Sequence, residues 1–92
     1  MSPILAIDDD RNVIKILEQQ IQNMGYRMIS AMNGQEGLEM ARSGNPDLIL
    51  LDIMMPHMDG FEVIKRLRMD DLTKSIPILM VTSKTAKDDV IK

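Results

Sequence analysis

Leu48-Ile49-Leu50-Leu51-Asp52 is the stretch on which the reading of the fold turns. Four consecutive apolar residues suit a strand buried on both faces, as in a parallel sheet. The acid that follows them sits at the strand's carboxyl end. Just upstream, Asn45-Pro46-Asp47 is turn chemistry. Before the turn, Asn33 is placed to cap a helix, with Glu36 returning the capping hydrogen bond. That helix carries Leu38, Met40 and Ala41 and stops near Ser43-Gly44. Residues 26–32 read as a strand, although their alternation is poor. Residues 12–24 read as a helix. Val13, Leu17, Ile21 and Met24 form its stripe, Ile14 and Ile16 widen it, and Gly25 is placed to stop it. Ile4-Leu5-Ala6-Ile7 is a second buried run, and it ends in Asp8-Asp9-Asp10.

Downstream of Asp52 a loop over 53–58 contains Pro56. Asp59 or Gly60 opens a third helix carrying Val63, Ile64 and Leu67. Residues 76–81 read as a fourth strand with Pro77 near its start, where a missing N–H is tolerated. It ends on Thr82-Ser83, and Thr85 is placed to cap a last helix over 86–92. Strands separated by helices imply right-handed crossovers and a parallel sheet, so the fold class is doubly wound α/β. Residues 1–92 make one domain.

Composition narrows the function. Hydrophobic residues are 45% of the chain and charged ones 27%, values of a globular protein rather than a disordered one. No apolar run is long enough for a membrane span, and the N-terminus has no basic leader. The chain contains no cysteine, which removes disulfides, zinc–thiolate sites and thiol nucleophiles and fits a cytoplasmic setting. A net charge of −3 argues against an electrostatic grip on nucleic acid. Tyr26 and Phe61 alone make no stacking platform. The single histidine, His57, cannot build a multi-histidine metal site and reads as a solvent-facing loop residue. The ten methionines read as adaptable core filler.

In an open parallel sheet, ligands bind outside the carboxyl ends of the strands. Here those ends carry Asp8 and Asp9, Asp52, and Thr82 and Ser83. An acidic first turn on the first helix would account for Asp8-Asp9-Asp10 alone, and Asp10 suits an N-cap. Asp52 alone could be a strand-end turn residue. Together, three acids at one mouth need a cation or a proton, since a like-charge pair at 4 Å costs about 4 kcal/mol at an effective dielectric near 20. Oxygen ligands without thiol or imidazole suit a hard ion, Mg2+ or Mn2+.

Three segments carry a family resemblance: Ile4-Leu5-Ala6-Ile7-Asp8-Asp9, Leu50-Leu51-Asp52-Ile53-Met54-Met55-Pro56-His57-Met58-Asp59-Gly60, and Met80-Val81-Thr82-Ser83. They resemble the receiver domain of two-component response regulators, and the resemblance spans essentially the whole chain. It implies a flavodoxin-like sheet of strand order 2-1-3-4. It also implies that Asp52 is the phosphoryl acceptor, fed by a sensor histidine kinase or phosphotransfer protein. Asp9 would bind Mg2+ directly, Asp8 through a water, and Met54 through its backbone carbonyl. Thr82 would be the switch hydroxyl, and Ser83 would lend its N–H to a phosphoryl oxygen. Met54 and Lys84 would stand at the mouth. Such a protein is a signalling receiver rather than an enzyme, although the family assists its own phosphorylation and dephosphorylation.

The family's domain has a fifth strand and helix and runs to roughly 120 residues. This chain would end inside the fourth helix, without the family's phosphoryl-binding lysine. An apolar fourth strand at the sheet edge leads to an expectation of a homodimer or a swapped assembly burying about 1,000 Å2 or more. Two other readings stand beside this one. One is a phosphorylation-deficient interaction or assembly module. The other is a metal-dependent phosphatase with an aspartyl nucleophile. Such an enzyme uses Asp-x-Asp-x-Thr on strand one, which Asp8-Asp9-Asp10-Arg11-Asn12 lacks.

Overall fold

The computed structural model describes residues 2–52 and 60–81. Their elements run β1 (Ile4–Ile7), α1 (Arg11–Asn23), β2 (Met28–Ala31), α2 (Gly34–Gly44), β3 (Leu48–Asp52), α3 (Gly60–Met69) and β4 (Ile78–Val81). The strands form one parallel sheet in the order β2-β1-β3-β4. Both the doubly wound class and the strand order agree with expectation.

Period-two alternation divides the sheet into two faces. Leu5, Ile7, Ile49 and Leu51 form a fully buried cluster with Ala41 of α2 and Val63 and Leu67 of α3. Ala6, Ile14 and Ile21 are buried apart from that cluster, which places α1 on the other face. The helix α2 lies close against the strands because its inward positions are small. A Cβ on Gly37 would fall 2.5 Å from Ile7 Cδ1, and one on Gly44 would fall 2.8 Å from Ile29 Cδ1.

Several boundaries move, each for a local reason. The second strand begins at Met28 rather than residue 26, because residues 24–26 finish α1. The Gly25 N–H donates to Gln22 O and the Tyr26 N–H to Ile21 O, with Gly25 at φ +91°. The stripe on α1 is rotated from its expected centre. Ile14 and Ile21 are buried, Ile16 is 57% exposed, and Met24 lies past the helix end at 64%. Asn33 does cap α2, its side chain accepting from the Glu36 N–H at 2.8 Å. In return the Glu36 carboxylate accepts from the Met32 N–H at 2.7 Å, one residue before the expected donor. Asn45, in the left-handed region at φ 46°, ends α2.

The last strand begins at Ile78, since the Ile76 N–H turns back to Thr73 O. The turn before it is tied down by three polar side chains. Thr73 is buried and its hydroxyl donates to Leu67 O at 2.6 Å. Arg68 Nη1 donates to Lys74 O and Ile76 O. Arg42 of α2 pairs with Asp70 at 2.7 Å. Among the described residues the methionines line the core's margin rather than fill it as expected: Met28, Met32 and Met40 are half-buried, Met40 packing against the core cluster, and Met24, Met69 and Met80 are exposed. Isoleucine, leucine and valine supply the core instead.

Candidate functional site

Two strand ends bring the acids together. Parallel pairing aligns Ile7 with Leu51, so the residues that follow each leave the sheet at the same edge. The Asp8 N–H continues the ladder by donating to Ala31 O at 3.0 Å. That bond holds Asp8 in the mouth at 2% exposure. Asp52 is the last residue of β3, paired across to Val81, and is 1% exposed. Asp9 is half-buried. One carboxylate oxygen from each of Asp8, Asp9 and Asp52 lies within 4.8 Å of the others.

The loop from β1 to α1 is set by its own hydrogen bonds. The Asp10 N–H donates to Asp8 Oδ1 at 2.9 Å. The Asp10 side chain turns the other way and caps α1, accepting from the Asn12 N–H at 2.9 Å and the Val13 N–H at 3.4 Å. Asp10 is thus a cap and not a member of the acid cluster.

Crowding and burial show in the acid–base chemistry. Burial pushes the Asp8 carboxyl up from its ordinary 3.8 to about 6, while the Asp10 N–H pulls it partly back. The negative charge of Asp52, a hydrogen bond shared with it, and the charge of Asp9 add to the rise. The Asp8 and Asp52 side chains are close enough to share a hydrogen bond. An all-oxygen set of acids, two of them buried, matches a small hard divalent ion that keeps part of its own water shell.

Asp8, Asp9 and Asp52 are therefore assembled as the sequence suggested. Met54, Thr82, Ser83, His57 and Lys84 lie outside the described residues. The register brings β4 to Val81 beside Asp52, and Thr82 follows it in the sequence. The sequence reading passed over the link between Asp10 and Asp8, because a backbone donor leaves no mark on residue type.

The response regulator receiver domain family matches residues 4–92 of this sequence. The chain belongs to that family. Receiver domains are signalling domains, and three matches show how close the likeness runs. The alkaline phosphatase synthesis transcriptional regulatory protein PhoP of Bacillus subtilis is 41% identical over 88 residues. That alignment takes in 96% of this receiver domain and 36% of PhoP, so the chain spans about a third of that relative's length. Among solved structures, the Vibrio cholerae chemotaxis protein CheY4 matches with a TM-score of 0.82 at 36% identity, over 97% of this chain and 77% of CheY4. A chain in the crystal structure of the histidine kinase ThkA in complex with the response regulator protein TrrA matches at a TM-score of 0.81 and 38% identity. It covers 90% of this receiver domain and 70% of that chain. Among the described residues, no helix is long and apolar enough to cross a membrane.

Proposed function

We propose that this receiver domain takes a phosphoryl group onto Asp52 from the phosphohistidine of a sensor histidine kinase or phosphotransfer protein. The observation that carries the proposal is the burial of Asp52 at the end of β3, with Asp8 and Asp9 oxygens within 4.8 Å. In the transfer an Asp52 oxygen attacks phosphorus, the phosphorus–nitrogen bond to the donor imidazole breaks, and the imidazole leaves with the electron pair. The product is an acyl phosphate on Asp52. Asp8, Asp9, Asp52 and the Met54 carbonyl would hold Mg2+ or Mn2+. The ion would neutralise charge on the transferring group. Burial of Asp8 and Asp52 limits water at the reacting carboxylate. Thr82 would serve as the hydroxyl that answers the new charge, and Ser83 as a neighbouring N–H donor. A kinase donor would place the chain in the cytoplasm, and the complex of ThkA with TrrA shows that a response regulator protein can engage a kinase.

Treatment with acetyl phosphate and Mg2+ followed by borohydride reduction tests this. The expected outcome is a reduced, trapped residue at Asp52 and none in Asp52→Asn. Label on Asp59, with Asp52 untouched, would overturn the assignment.

A second reading, an assembly module, has one observation in its favour. On β4, Leu79 is 56% and Met80 49% exposed, and β4 pairs only with β3 among the described residues. That edge supports pairing with a second copy of the chain. Phosphodonor labelling separates the two readings, because an assembly module would stay unlabelled.

A further inference from the structure

We infer that Asp10 is a positioning residue for the metal site, through its cap on α1 and not through its charge. The inference rests on the proposed function above. Asp10 stands where three constraints meet. Its N–H holds Asp8 Oδ1 at 2.9 Å. Its carboxylate accepts from the Asn12 and Val13 N–H groups. Its carbonyl accepts the Ile14 N–H at 3.1 Å, the first bond of the α1 ladder. The side-chain cap fixes the backbone at φ −96° and ψ 110°. That backbone in turn aims the N–H at Asp8. The start of the helix and the orientation of a metal-facing carboxylate are therefore one device.

The carboxylate of Asp10 is spent on helix N–H groups, so it adds no ligand to the Asp8, Asp9 and Asp52 set. A cap and a charge make different demands on the side chain. Asn and Ser cap as well as Asp but carry no charge. Ala removes the cap. Gly removes the acceptor while keeping helix stability within a few tenths of a kcal/mol of a good cap.

The test is a Mn2+ titration of the 92-residue chain, with free ion counted by electron paramagnetic resonance. Thermal melts of each variant verify folding. The series is wild type, Asp10→Asn, Asp10→Ser, Asp10→Ala and Asp10→Gly. Asn and Ser should keep the wild-type affinity. Ala and Gly should lose about tenfold, as for the loss of an outer-shell partner. Should Ala fail to fold, Gly carries the comparison. Asn and Ser falling together with Ala and Gly would show that charge is what matters and overturn the inference. Equal affinity in all five proteins would also overturn it, while leaving the metal reading intact. No saturable Mn2+ binding in the wild type would overturn the metal reading and the inference together.

Discussion

Burial raises the Asp8 carboxyl from 3.8 to about 6, so folding and protonation are linked. Between about pH 4 and 6 the folded chain holds a proton that the unfolded chain has released. Stability from this group is fully present below pH 4 and is lost as pH rises through 6. The metal-free chain should therefore melt at a higher temperature at pH 5 than at pH 7. Asp8→Asn should flatten that dependence and raise the melting temperature at pH 7. An unchanged slope in Asp8→Asn would place the effect on another group. Mg2+ should raise the wild-type melting temperature at pH 7 and do little for Asp9→Ala or Asp8→Asn, because binding only the folded state stabilises it. The acids themselves were legible in the sequence, because the Asp8-Asp9 pair and Asp52 each close an apolar run that reads as a strand. The rise at Asp8 was not. It depends on 2% exposure and on the nearness of Asp52, which only pairing of the strands creates.

Helix α2 owes its place to missing side-chain atoms. Gly37→Ala would set a methyl 2.5 Å from Ile7 Cδ1 and 2.9 Å from Ile7 Cγ1, in a residue with no exposure. Overpacking costs about 1–3 kcal/mol and the better helix propensity of Ala returns about 1. We expect a net loss of about 1 kcal/mol by urea unfolding. Adding Ile7→Val removes the clashing Cδ1, so the double variant should lose less than the two single losses together. Additive losses would show that the clash is relieved elsewhere. At the other end of α3, Thr73→Val removes a buried hydroxyl from Leu67 O and should cost about 1–2 kcal/mol. A loss of only a few tenths in the same experiment would mean that the carbonyl finds another donor.

Strand and helix order could be read in advance because apolar runs and capping residues are local signals. Three features could not: the rotation of the α1 stripe, the late start of β2, and the Thr73–Arg68 turn. Ile14 and Ile16 are alike in sequence, and only the sheet decides which of them is covered. Tyr26 has a strand-compatible side chain, but its N–H is already engaged by α1, donating to Ile21 O.

The exposed Leu79 and Met80 on β4 lead to an expectation about assembly. Self-association should appear in sedimentation at micromolar concentration, and Leu79→Lys should shift it toward monomer. A strictly monomeric wild type would defeat this. The strand order has a further consequence, in time rather than in space. Ile4 of β1 pairs with Met28 on one side and Leu48 on the other, so each ladder closes only after a whole helix has intervened. The sheet contains no hairpin among its described strands that could nucleate it, and loop closure precedes every gain from pairing. In a nascent chain β1 leaves the ribosome before the strands that pair with it. That strand, the most deeply covered in the finished domain, waits with both edges bare until β2 and then β3 have been made. Of the described strands of this sheet, its apolar run is thus the one exposed longest during synthesis.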